Sequence, residues 1–206
     1  MTGIFVSLDG VDGCGKSTQI ALLKEWFEQL GRDVLVVRDP GGTKLGEALR
    51  EILLHRTEIP LVGTAEMLLY MASRAQLVQE RILPALAEGH VVISDRYLLA
   101  NVVYQGSAGG LDTESIWHVG QIATCGRMPD LTFLLDIDPV ISFQRMQGQP
   151  DRLESRGLEY MSRVRQGFLE QARELGTKVV KINATNTIPE IHSEIVERIS
   201  TLLQSK

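Results

Sequence analysis

The 206 residues hold 26 acidic and 21 basic side chains, a formal net charge of −5, and 44% of them are apolar. Such a chain can build one α/β domain with a full core, and its acidic balance argues against general affinity for nucleic acid or anionic membrane, so small-molecule partners are expected. Cys14 and Cys125 are the only cysteines, far apart and without metal-ligand spacing, which removes a disulfide framework and a zinc site from consideration.

The opening "MTGIFVSLDG" lacks the charged segment, apolar run and cleavage site of a secretory signal. No apolar run reaches membrane-spanning length, and a cytoplasmic protein is expected. Residues 4–9, "IFVSLD", predict a first strand. It leads into "LDGVDGCGKST" (8–18) and then into "STQIALLKEWFEQL", an amphipathic helical pattern. Gly10, Gly15, Lys16 and Ser17 fit G-x-x-x-x-G-K-[ST] in the strand-to-helix setting of a phosphate-binding loop. Glycine lets successive backbone N–H groups turn toward anionic oxygens without a Cβ clash, and the following helix presents its positive end. The expected ATP contacts are Gly10, Val11, Asp12, Gly13, Cys14, Gly15, Lys16, Ser17 and Thr18, with Lys16 bridging the β- and γ-phosphates and Ser17 on Mg²⁺.

Further strands are predicted at "DVLVVRD" (33–39), "HVVISD" (90–95), "LTFLLDID" (131–138) and "KVVKIN" (178–183), with helical patterns between them. Nearly continuous apolar strands separated by amphipathic helices imply a parallel sheet covered on both faces. No linker, repeat or composition break divides the chain, so residues 1–206 are expected to form one α/β domain, a doubly wound five-stranded fold of the P-loop type. Ligands of such sheets gather at the carboxyl ends of the strands. Those ends carry Asp9-Gly10, Arg38-Asp39-Pro40-Gly41-Gly42, Asp95-Arg96-Tyr97, Asp136-Ile137-Asp138 and Asn183. Acidic strand ends beside a phosphate loop favour a metal-phosphate site, although Asp136 and Asp138 serve equally well as turn formers.

The stretch "INATNTIPE" lacks the N-K-x-D segment with which a GTPase reads guanine. A kinase acting on a phosphorylated acceptor needs a second anion site. Arg38, Arg50, Arg74 and Arg96 fall near strand ends or on the helices above them and together suit such a pocket, although each alone is an ordinary surface arginine.

The segments "LDGVDGCGKSTQ", "RDPGGTKLGEALR", "YMASRAQLV", "SDRYLLANVVYQG", "PDLTFLLDIDP" and "DRLE" resemble, in order and spacing, those of the thymidylate kinases, P-loop nucleoside-monophosphate kinases that convert dTMP to dTDP with ATP in dTTP biosynthesis. The resemblance covers residues 4 to about 165. It implies that Asp12 meets the 3′-hydroxyl of dTMP, that Arg38, Arg50 and Arg96 surround its phosphate, and that Asp9 stands with Ser17 near Mg²⁺. Tyr70 would stack on thymine and Arg74 donate to its O4, Asn101 and Gln105 would reach the pyrimidine edge, and Tyr104 would lie under C2′. Tyr70 and Arg74 share a helix face at their four-residue spacing, although Tyr70 in "AEMLLYMAS" also suits a core. Where this chain has Asp9 and Asp39, family members commonly carry Glu, so the shorter side chains call for a bridging water.

Catalysis is then expected from Lys16, Asp9, Arg96, Arg145 and Arg152. Some thymidylate kinases place an arginine inside the phosphate loop, whereas this chain has Gly13. The charge over the γ-phosphate must then come from a mobile lid, expected at about 146–157 within "RMQGQPDRLESRG", with Arg145, Arg152 and Arg156 as candidates. The resemblance also implies a homodimer, and the helical pattern "AEMLLYMASRAQLVQERILPAL" suits either an interface or packing on the sheet. Rival readings are a kinase for another nucleotide or nucleoside, and a nucleotide-dependent switch.

Overall fold

The computed structural model describes residues 3–56, 58–145 and 152–204. Residues 146–151, the first half of the expected lid, lie outside the described residues.

All five expected strands form: β1 (Ile4–Asp9), β2 (Val34–Arg38), β3 (Val91–Asp95), β4 (Leu131–Asp136) and β5 (Val179–Asn183). They make one parallel sheet in the order β2-β3-β1-β4-β5, so the phosphate-loop strand occupies the centre. Alternation of side chains across a strand assigns the two faces. Ile4, Val6 and Leu8 of β1 pack with Leu23, Phe27, Val164, Phe168 and Ile195, whereas Phe5 between them packs with Leu77, Ile82, Tyr97 and Val102. Helices α1 (Lys16–Gln29), α8 (Gly157–Leu175) and α9 (Ile188–Gln204) supply the first layer. The second comes from α3 (Gly63–Leu77), the short α4 (Leu83–Ala87) and α6 (Thr113–Ala123).

Two local departures from the expected elements have physical causes. The helical pattern over 65–86 is not one helix: α3 passes through a π-turn at Val78–Ile82 before α4, because Pro84 lacks an N–H and its ring crowds the preceding turn. Its apolar stripe of Met67, Met71, Leu77, Val78 and Ile82 packs inward, leaving Leu68 exposed. The fourth strand stops at Asp136, and Asp136 and Asp138 both pair with Arg165 of α8, at 2.7 and 3.4 Å. These two carboxylates tie a helix to a strand end and stand apart from the phosphate site.

Three remaining elements border the site. Helix α2 (Lys44–Leu54) starts at Thr43, whose hydroxyl accepts from Gly46 N. Helix α5 (Leu98–Asn101) runs directly into a second π-turn, Val102–Ser107, and α7 (Pro139–Arg145) follows β4.

Candidate active site

The phosphate loop follows β1 and closes at the start of α1. Gly10 at φ 139° brings the backbone so close to β4 that a Cβ would sit 2.6 Å from the carbonyl oxygen of Leu135, and Gly15 caps α1 at φ 101°. Neither conformation suits a residue with a side chain. Lys16 is buried, and its Nζ donates to the carbonyls of Gly10 (3.3 Å) and Val11 (3.1 Å) and pairs with Asp12 at 3.6 Å. Cys14 is buried beside it, its Sγ 3.8 Å from Lys16 Nζ.

Arg96 reaches the loop from the end of β3. Its backbone is left-handed at φ 67°, a strained conformation for a non-glycine residue, stabilised by Arg96 N donating to Leu8 O (3.0 Å) and Ser94 Oγ donating to Arg96 O (2.5 Å). The side chain donates to Gly10 O (2.8 Å), to Asp12 Oδ1 (2.7 Å) and to the Tyr104 hydroxyl (3.2 Å), with its guanidinium 5.0 Å from the centre of the Tyr104 ring. Burial would raise the Asp12 carboxyl, but Arg96 and Lys16 hold it down at about 2. Asp9 differs: burial pushes it up to about 7, against the pull of the same two cations and with Asp95 adding to the rise.

Two cavities open on either side of this ion pair. One is lined by Lys16, Ser17, Thr18, Arg38 and Asp95; the other by Tyr70, Arg74, Asn101, Tyr104, Gln105 and Leu153; Asp12, Asp39, Arg50 and Arg96 line both. Arg50 donates to Pro40 O at 2.9 Å, and burial together with Arg38 pulls its guanidinium below its usual range. That is incompletely compensated positive charge at the seam of the two cavities, where an anion would be stabilised. Arg38 is exposed and held by Glu47 at 3.1 Å.

The second cavity rests on a buried polar chain. Arg74, 1% exposed, donates Nε to Asp39 Oδ2 at 2.5 Å and Nη1 to Asn101 Oδ1 at 3.1 Å. Asn101 Nδ2 donates to Gln105 Oε1 (2.5 Å), Gln105 Nε2 donates to Glu66 Oε1 (2.8 Å), and Arg156 Nη2 donates to Glu66 Oε2 (2.6 Å). Burial raises Asp39 above its ordinary range despite the Arg74 guanidinium against it. Tyr104 is pinned from behind, its carbonyl accepting from the Tyr160 hydroxyl at 2.7 Å and its ring edge-on to Phe168.

Nearly every expected site residue is therefore brought together, Tyr70 serving both core and cavity wall. The exceptions are Asp9, which is fully buried and lines neither cavity, and the two lid cations. Arg145 ends α7 and donates to Ala184 O at 3.0 Å, and Arg152 donates to Ile59 O at 3.1 Å and more closely to Arg56 O, and neither lines either of these two cavities. Sequence reasoning assigned no role to Glu66, and placed Asp39 and Asp95 only among the acidic strand ends, with a bridging water for Asp39. Asp95 Oδ1 and Asp9 Oδ1 are buried without a hydrogen-bond partner among the described residues, and the acidic strand-end pattern had signalled both. Glu66 carried no signal, because a single acidic residue in a helix usually faces water.

A phosphate loop at the centre of a parallel sheet, joined through shared arginines to a second cavity, defines a phosphotransferase of the nucleoside-monophosphate kinase type. Comparison with known proteins narrows this. The thymidylate kinase family model matches residues 8–195. A thymidylate kinase of Rhodopirellula baltica is 46% identical over 94% of this chain and 78% of its own, and one from Caldanaerobacter subterraneus is 43% identical over 99% and 98%. The crystal structure of thymidylate kinase from Ehrlichia chaffeensis superposes with a TM-score of 0.80 at 27% identity, covering 97% of this chain and 99% of that one. The chain belongs to the thymidylate kinase family, enzymes that phosphorylate dTMP to dTDP with ATP.

Proposed function

We propose that this chain transfers the γ-phosphoryl of ATP in line to dTMP, with ATP on the phosphate loop and dTMP in the Arg74–Gln105 cavity. The carrying observation is the seam: Asp12, Asp39, Arg50 and Arg96 line both cavities, so an acceptor phosphate there would face the γ-phosphate across one arginine pair. Gly10 to Thr18 would cradle ATP, Lys16 exchanging its carbonyl contacts for β- and γ-phosphate oxygens. Arg50 and Arg96 would hold the acceptor phosphate with Arg38 at the rim. Asp12 would orient the sugar hydroxyl, Tyr70 stack on the base, Arg74, Asn101 and Gln105 read its edge, and Tyr104 close on C2′.

Among the described residues no cluster of three metal-ligating side chains occurs. The residues present nonetheless fit Mg²⁺, which in such sites takes one or two protein oxygens and fills its shell with phosphates and water. Asp95 lines the cavity with Ser17, Asp9 directly precedes the loop, and each keeps one buried carboxylate oxygen, a hard donor, without a hydrogen-bond partner among the described residues. Ser17 and Asp9, the latter through water, would hold the ion. When bound, Mg²⁺ neutralises charge on the β- and γ-phosphates. Arg145 and Arg152 are proposed as the cations that reach the γ-phosphate when the 146–157 segment closes. Loss of kcat in Arg145→Ala or Arg152→Ala beyond any rise in KM would support that role. A homodimer in the cytoplasm completes the reading. The deciding experiment assays a panel of nucleoside monophosphates with ATP and Mg²⁺: dTMP should be the fastest acceptor, and ATP hydrolysis of equal rate without acceptor would overturn the proposal.

A further inference from the structure

Arg74, Asn101 and Gln105 line the acceptor cavity, but Glu66 does not. It lies behind them, 3% exposed, with both carboxylate oxygens accepting, one from Gln105 and one from Arg156. An amide side chain exchanges donor and acceptor simply by rotating half a turn, so a pocket edged by two amides does not by itself distinguish complementary ligands. Here the chain has an end that only accepts, Glu66, and an end that only donates, Arg74. Gln105 must turn its NH₂ to Glu66 and its carbonyl to Asn101. Asn101 must then turn its NH₂ to Gln105 and its carbonyl to Arg74. Rotating either amide sets carbonyl against carboxylate or NH₂ against guanidinium and leaves buried polar groups unmatched.

We propose that Glu66 is a positioning residue for base specificity: by polarising the Gln105–Asn101–Arg74 chain it makes the cavity read a lactam pyrimidine, with a proton on N3 and an oxygen at C4, and reject an aminopyrimidine. This rests on the reading that the cavity holds the base of the acceptor. Arg74 meets the ring oxygen because it only donates, and the remaining lone pairs of the fixed amide carbonyls are the partners for N3–H. An aminopyrimidine offers the inverse pattern, which a freely rotating amide could meet and an anchored one cannot.

The test compares kcat/KM for dTMP and for 5-methyl-dCMP, which differ only at positions 3 and 4, in wild type and Glu66→Gln. A glutamine at this position presents either a donor or an acceptor to Gln105, so the accepting anchor is lost at nearly constant volume while Arg74 still holds Asn101 at the other end. The ratio favouring dTMP should fall about tenfold, while KM for ATP and kcat at saturating dTMP stay within about twofold. Arg156→Gln, which removes the cation behind Glu66 together with its 3.1 Å hydrogen bond to the Tyr160 hydroxyl, should lower the same ratio by about threefold, and it carries the test should Glu66→Gln fold poorly. An unchanged ratio, with both nucleotides weakened equally, would overturn the proposal and leave Glu66 a packing residue. A wild-type ratio near unity would instead overturn the reading of the cavity itself.

Discussion

The phosphate loop and the acceptor cavity meet at the Asp12–Arg96 ion pair but are built in opposite ways. The loop is consecutive chain, residues 10–18, and the groups proposed to bind are backbone N–H groups, one lysine and the hydroxyls of Ser17 and Thr18. The cavity draws on α2, α3, the end of β3, the second π-turn and the segment before α8, and its binding groups are side chains fastened to one another out of water. Damage to the loop should therefore appear as lost chemistry in a folded protein, whereas damage to the cavity should appear as lost stability together with lost binding.

Arg74→Ala breaks this comparison most sharply. It leaves the fully buried Asp39 carboxylate without its cation, a change worth about 3–5 kcal/mol where the charge cannot escape. Protonation of Asp39, whose carboxyl already lies above its ordinary range, limits the loss, so the deficit in unfolding free energy should be smaller at pH 5 than at pH 8. KM for dTMP should rise far more than KM for ATP. Chemical denaturation at the two pH values, paired with steady-state kinetics, checks both parts.

Lys16→Ala is the counterpart in the loop. Its partners are carbonyls and Asp12, which keeps Arg96, so thermal stability should barely change while kcat falls by about 10²–10³, or about 2.7–4 kcal/mol of transition-state stabilisation. A folded variant with near-normal turnover would remove the loop from the mechanism.

Asp9 ends β1, fully buried directly before the loop. Its carboxyl goes from an ordinary 3.8 to about 7 on folding, so between those values the folded protein binds the extra proton and stability must fall as pH rises. Asp9 alone contributes up to about 1.4 kcal/mol per pH unit in that window. Urea titrations of the ligand-free protein from pH 4.5 to 7.5 should show this slope, and Asp9→Asn should flatten it.

The smallest kinetic effect is expected at Tyr104, which the Tyr160 hydroxyl, Phe168 and Arg96 hold from three sides and whose truncation also costs core stability. Tyr104→Ala should lower the preference for dTMP over ribothymidine monophosphate by about threefold to tenfold, the share of discrimination a single steric contact supplies. An unchanged ratio would transfer that role to other groups around the sugar.

What could be read from the chain alone follows the range of the forces involved. All five strands, their parallel arrangement and the phosphate loop were legible because β-branched runs and glycine spacing act within a few residues. Arg50, Tyr70, Arg74, Arg96, Asn101, Tyr104 and Gln105 were legible as a set through family resemblance, and the fold gathers them around one cavity. Three things were decided only in three dimensions. Asp136 and Asp138 share the acidic strand-end pattern of Asp9 and Asp95, but α8 brings Arg165 against them and removes them from the site. Arg145, Arg152 and Arg156 sit close together in sequence, yet packing sends them to Ala184, to the end of α2 and to Glu66. Glu66 itself becomes a buried anchor because α3 lies where Arg156 and Gln105 converge from segments 90 and 39 residues away. Periodicity reports which face of an element avoids water; which charges meet across that face depends on how the elements pack.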